Sequence, residues 1–105
     1  MKTILLIGGT RFVGRAILEQ LLQSNMKVVV YHRGHHPLPL EHPDLYEELG
    51  DCRSPLNYHT LFKKYKFDLI VHTIAYHPDD LKSLLPDIKK YKTPIIVIST
   101  GQVYI

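Results

Sequence analysis

The stretch IGGTRFVG, Ile7 to Gly14, holds the residue types that binding a phosphate needs. Gly8 and Gly9 let a backbone turn sharply and come close to an anion, because neither carries a Cβ. A helix starting just after them, near Arg11 or Phe12, would offer first-turn N–H groups at the positive end of its dipole. Gly14, inside that helix, would let it pack close to a strand. A plain tight turn is the competing reading. Arg11 stands where a nucleotide-binding fingerprint usually has its middle glycine. Its guanidinium could reach a phosphate or point into solvent.

A second group follows the run KVVVYH, which ends on His32 with Arg33 next to it. Sites for NAD usually place Asp or Glu at this strand end to hold the ribose hydroxyls. No acid is nearby here. Arg33 would attract the 2′-phosphate of NADP, which a carboxylate would repel, so NADP is the expected dinucleotide. The alternative is an Arg33 that points to solvent.

These groups need a frame, and the apolar pattern supplies one. TILLI (Thr3 to Ile7) is short, branched and closed by glycines, as a buried parallel strand should be. From Phe12 to Ser24, Phe12, Val13, Ala16, Ile17, Leu21 and Leu22 keep a helical stripe that Ser24-Asn25 ends. KVVVYH (Lys27 to His32) is a second strand, and the proline-rich GHHPLPLEHP is an irregular loop. LYEEL (Leu45 to Leu49) is a weaker third strand. A short helix over Asn57 to Tyr65 turns Leu61 and Phe62 inward. FDLIVHTIA (Phe67 to Ala75) is a fourth strand. Asp79 to Tyr91 reads as a helix kinked at Pro86, and PIIVIST (Pro94 to Thr100) as a fifth strand. Alternating strands and helices predict an α/β, Rossmann-like, doubly wound parallel sheet with helices on both faces. The expected strand order is 3-2-1-4-5, with the switch point between strands 1 and 4.

The totals fit one domain: 105 residues, 45% hydrophobic and 22% charged. A single cysteine, Cys52, excludes an internal disulfide, and the longest apolar runs fall far short of a membrane span. A cytoplasmic location is expected. The formal charge of +3 favours anionic ligands.

In order, GGTRFVGRAILEQLL, VVVYHRG, GDCRS, FDLIVHTIAYHPDDL and IIVISTGQVY resemble the N-terminal half of extended or atypical short-chain dehydrogenase/reductases. The resemblance is in particular to NAD-dependent epimerase/dehydratase proteins, or nucleoside-diphosphate-sugar epimerases. A GGTRF variant of the glycine turn occurs there, so Arg11 is not a broken glycine. The resemblance implies that Gly8, Gly9, Thr10, Arg11, Phe12, Val13 and Gly14 cradle the cofactor. It implies that Asp51 meets the adenine amino group beside backbone contacts at Cys52. Thr73, Ile74 and Ala75 would then run past the pyrophosphate and ribose. Tyr76 could face the site or close the core.

Enzymes of this kind also use a Ser/Thr after strand 5 and a Tyr-x-x-x-Lys further on. Thr100 takes the Ser/Thr place, with Ser99 beside it, unless Thr100 only ends the strand. None of the seven tyrosines has Lys four residues later. The expectation is therefore an NAD(P)-binding half, inactive alone, of an oxidoreductase or isomerase acting on a nucleotide-sugar or related small molecule. It would be a truncated chain or a natural fragment. An open flank on strand 5 would invite homodimers.

Two other classes stay in view. One is an NADP sensor without catalysis. The other is an RNA-binding protein, because the GGTRF group also resembles chloroplast stem-loop binders and Lys63-Lys64, Lys66, Lys89-Lys90 and Lys92 are basic. The pairs also suit helix C-termini as solvated faces. His32, His35, His36 and His42 do not have zinc spacing, so no metal is expected. His72 reads as a core residue.

Overall fold

The structure, a computed structural model, describes residues 1–8, 12–34, 37, 38, 40–74, 79–99 and 102–104; for residues 12, 99 and 102–104 it describes the backbone. The strands are β1 (Thr3–Ile7), β2 (Lys27–His32), β3 (Leu45–Leu49), β4 (Leu69–His72), β5 (Ile95–Ser99) and β6 (Gln102–Tyr104). The helices are α1 (Phe12–Gln23), α2 (Pro55–Lys64), α3 (Asp79–Lys82) and α4 (Leu85–Tyr91). The described strands form one sheet in the order β3-β2-β1-β4-β5-β6. The pairings from β3 across to β5 are parallel, which is the expected 3-2-1-4-5 order.

β6 was not expected. It pairs antiparallel with β5, Val97 against Tyr104 and Ser99 against Gln102. The flank of β5 is therefore covered, and the open edge proposed for a homodimer is not there. A short return of the chain closes it instead.

The central strands are buried on both faces, which is why they read as unbroken apolar runs. Alternate residues serve two cores. Leu5, Ile7, Val29, Tyr31 and Ile70 pack with Tyr58, Leu61 and Phe62 of α2 and with Leu84. Ile4, Leu6, Val28, Val30 and Val71 pack with Leu18 and Leu22 of α1.

The buried stripe of α1 runs through Gly14, Leu18 and Leu22, while Val13 and Ala16 are exposed. The expected stripe holds at Leu22, with Ile17 and Leu21 packed beside it, and fails at Val13 and Ala16; Leu18, four residues on from Gly14, takes their place against the sheet. Asn25 ends the helix in the left-handed region (φ 60). The Asn25 and Met26 N–H groups donate back to the Leu22 and Leu21 carbonyls, satisfying the last turn.

α2 starts two residues before the expected Asn57. The Ser54 hydroxyl accepts the Asn57 N–H, and Pro55 occupies the first turn. The expected kinked helix over Asp79–Tyr91 is two helices. The chain breaks at Ser83-Leu84, where the Ser83 hydroxyl donates to the Arg53 carbonyl at 2.7 Å. Pro86 then sits in the first turn of α4, where a missing N–H costs nothing, so it starts a helix rather than bending one.

Candidate cofactor crevice

β1 and β4 lie side by side, and β2 and β5 leave them in opposite directions across the sheet. A crevice outside the carboxyl ends of such strands is where doubly wound sheets bind ligands. Gly8 stands at that point on β1 with φ +106, and its N–H donates to the Tyr31 carbonyl at 3.1 Å. Thr73 stands opposite, just past the end of β4. Its N–H and its hydroxyl both donate to the Ile7 carbonyl, at 2.9 and 2.8 Å. A Cβ on Gly8 would collide with Thr73 Oγ1 and lie 3.1 Å from Ile74 Cγ2. Gly8, Thr73 and Ile74 are thus brought together, and only glycine fits the first position. α1 follows with no acidic residue in its first turn, so nothing there repels an anion from its N-terminus. Val13 is exposed in that turn and Gly14 is buried one residue on. Gly9, Thr10, Arg11, Ala75, Tyr76 and Thr100 lie outside the described residues, as do the side chains of Phe12 and Ser99.

The second expected group gathers at the ends of β2 and β3. Arg33 Nη2 donates to Asp51 Oδ2 at 3.0 Å, and both side chains are about half exposed (55% and 48%). Asp51 Oδ1 accepts the Arg53 N–H at 2.8 Å. That backbone bond first, and then Arg33, hold the Asp51 carboxyl below the usual carboxylate range. The Cys52 thiol is pushed up by burial and by the Asp51 and Asp80 charges, so it is a poor nucleophile.

His32 does not join this group. Its Nδ1 accepts the Gly34 N–H at 3.1 Å, which leaves the proton on Nε2 to be donated to Glu47 Oε2 at 2.7 Å. Both ring nitrogens are used in shaping the turn after β2, and neither is left for a cofactor. The ring is 8% exposed.

Sequence reading missed what supports the loop. The Tyr31 hydroxyl donates to the Asp51 carbonyl at 2.7 Å, and the Tyr58 hydroxyl to the Cys52 carbonyl at 3.0 Å. Burial pushes both phenols up, so they stay protonated donors. Gly50 allows the approach, since a Cβ there would collide with Tyr31 Oη and lie 2.7 Å from Asn57 Nδ2. Arg53 reaches across to the buried Asp80 at 2.7 Å, tying the loop to α3. The only signal for these roles was the pair of tyrosines at apolar positions of β2 and α2.

His72 ends β4 beside Thr73 and is fully buried. Burial drives its pKa down to about 4, against an opposing pull from Asp80. It is a core histidine, as its place within a strand suggested. Among the described residues no group of three or more His, Cys, Asp or Glu could hold a metal ion.

A glycine whose Cβ space is shared with Thr73, a helix N-terminus ahead of it and a charged pair at the next strand end fit a dinucleotide. The profile of the NAD dependent epimerase/dehydratase family matches residues 4–97. The chain belongs to that family. Comparison with curated protein sequences gives no significant match. Among solved structures, the epimerase/dehydratase fold recurs in dTDP-glucose 4,6-dehydratase from Bacillus anthracis in complex with NAD, at TM-score 0.81 and 22% identity over 95% of this chain. It recurs in UDP-glucose 4-epimerase from Bifidobacterium longum with NAD+ and UDP, at 0.80 and 18% over 95%. A yeast methylglyoxal/isovaleraldehyde reductase complexed with NADPH matches at 0.68 and 19% over 85%. This chain spans 38%, 37% and 33% of those three structures, about a third of their length. Among the described residues, no helix is long and apolar enough to cross a membrane.

Proposed function

We propose that the chain is the NAD(P)-binding domain, preferring NADP, of an epimerase, dehydratase or reductase acting on a nucleotide-sugar or related substrate. The observation that carries this is the close approach of Gly8 to Thr73 at the switch point, directly ahead of α1. No side chain fits at Gly8, so the end of β1 meets a ligand with backbone alone. When bound, the nicotinamide supplies hydride transfer. The chain's own residues bind and orient. Gly8, Gly9 and the first turn of α1 receive the pyrophosphate, with Thr10, Arg11 and Phe12 around it. Thr73, Ile74 and Ala75 line the opposite wall. Asp51 and Cys52 lie at the adenine end, and Ser99 and Thr100 at the nicotinamide end.

The preference for NADP rests on Arg33. No carboxylate ends β2, and the contact with Asp51 engages one terminal nitrogen of a half-exposed guanidinium. A 2′-phosphate would find donors there. A Tyr-x-x-x-Lys pair is absent from the 105 residues, so the reading assigns no proton transfer to this chain.

The test is a titration with NADP and with NAD at moderate salt, using Gly9→Glu as control. Saturable binding is expected, tighter for NADP and lost in the control. Arg33→Ala should weaken NADP about tenfold, roughly 1.4 kcal/mol, and leave NAD unchanged. Tighter binding of NAD would overturn the role of Arg33. Binding of neither would overturn the function.

A further inference from the structure

The opposite end of the sheet carries a second concavity. A cleft of about 450 Å³ lies where α2 and α4 end, within the roughly 300–1,000 Å³ of ligand pockets. Its walls include Phe62, Tyr65 and Tyr91 and three lysines, Lys63, Lys64 and Lys66. The rings belong to a continuous ribbon. Tyr46 meets Tyr65 edge-on at 6.4 Å, and Tyr65 stacks on Phe67 at 5.6 Å. Phe67 meets Phe62 at 5.1 Å, and Phe62 stacks on Tyr91 at 5.4 Å. Phe62 and Phe67 are buried, whereas Tyr91 is 42% exposed and offers aromatic surface to a ligand.

The charge around the ribbon is lopsided. Lys27 Nζ lies 4.6 Å from the Tyr46 ring and Lys90 Nζ 5.3 Å from the Tyr91 ring. With the three lining lysines, that makes five ammonium groups. Among the described residues three carboxylates stand against them, Glu48, Asp68 and, beside the start of β2, Asp44. Glu48 is held by Lys64 and by the Tyr65 hydroxyl, each at 2.7 Å, and Asp68 accepts the Thr3 N–H at 2.8 Å. The two helix C-termini add roughly one further negative charge between them. A surplus of about one positive charge remains beyond what the helix ends offset. Lys63 and Lys66 have no carboxylate partner among the described residues.

We propose that this cleft binds a small planar anion, an aromatic or heteroaromatic ring bearing a phosphate or carboxylate, of single-nucleotide size. The ring would lie on the exposed part of Tyr91, moving aside the Lys90 side chain whose Nζ is 5.3 Å from the ring, and the anion would be met by Lys63 and Lys66. The strands separate this site from the cofactor crevice by the length of the sheet, roughly 15 Å at about 3.3 Å per residue.

The probe is adenosine monophosphate, added to the chain with saturating NADP present so that the crevice is filled. Amide shifts in nuclear magnetic resonance read the location. Saturable shifts at residues 63–67 and 91–93 are expected. Lys63→Glu with Lys66→Glu should weaken the probe at least about tenfold, with NADP affinity and thermal unfolding unchanged. Tyr91→Ala, at an exposed position, should weaken it as well. Shifts confined to Gly8 and Thr73, no shifts at millimolar probe, or equal affinity in the charge variant would each overturn the proposal. Binding of an oligonucleotide where the mononucleotide fails would also overturn it, and would give this face to nucleic acid instead.

Discussion

The two ends of the sheet, as sites proposed for ligands, are built of different materials. At the carboxyl end the groups on offer are mostly backbone: the missing Cβ of Gly8, the first-turn N–H groups of α1 and the carbonyls fixed by Tyr31 and Tyr58. At the amino end they are side chains, a ribbon of rings edged with lysines. Backbone recognition depends on a few residues that have no substitute. Side-chain recognition is spread over many, none of them indispensable. The first should fail abruptly when touched, and the second should fade.

Gly8→Val tests the abrupt end. The left-handed φ and the collision with Thr73 act together, so stability should fall by about 3 kcal/mol and cofactor binding should vanish. Urea unfolding and an NADP titration measure both. A variant that keeps full affinity would sink the distinction. At the amino end, adenosine monophosphate binding by whatever folded protein remains should be unchanged.

Next in size is the effect of acid, and it belongs to the carboxyl end as well. His72 has a folded pKa of about 4, below its unfolded value of about 6.5. The folded state thus binds fewer protons than the unfolded state between those values. Its contribution is present above about pH 6.5 and is lost as pH falls toward 4, at about 1.4 kcal/mol per unit and about 3 kcal/mol in all. Urea midpoints across this range should show the slope in the native chain, and it should be missing in His72→Gln. An equal slope in both would mean that some other group carries the acid sensitivity.

The smallest effect is expected at the other end. Tyr65→Phe removes one of two bonds to Glu48 and should cost about 1 kcal/mol near neutral pH. Burial alone would raise the Glu48 pKa, but Lys64 and Tyr65 outweigh it and hold it low. The bond's contribution is therefore present above the unfolded pKa and is lost as pH drops through the folded one. Stability of the variant should converge on that of the native chain in acid. A loss above about 3 kcal/mol would show that this end is as brittle as the other.

The same contrast decides what could be read from the residues alone. β1, β2 and β3 were placed to the residue: β1 and β2 are branched apolar runs with little other use, and the weaker β3 is marked off by Gly50. Gly8 was legible as the residue that closes the first of these runs. The break at Ser83-Leu84 was not, since Leu81, Leu84, Leu85 and Ile88 keep helical spacing straight through it. What stops the helix is tertiary, a hydroxyl donating to a carbonyl thirty positions away. The partners of His32 and Arg33 depend on the register of β2 against β3, which spacing does not reveal. The aromatic ribbon draws on residues from Tyr46 to Tyr91, and no local pattern joins them.

The pairing of β1 with β4 has a kinetic side. Thr3 and Asp68 are 65 positions apart, yet an amide and a carboxylate join them at the seam between the two halves of the sheet. β1, α1 and β2 can assemble early from neighbouring sequence, whereas the seam must wait for a long loop to close. Gly8 and Thr73 face each other only after that closure. If the proposed cofactor grips both sides of the seam, an analogue added during refolding would report its closure and would slow unfolding.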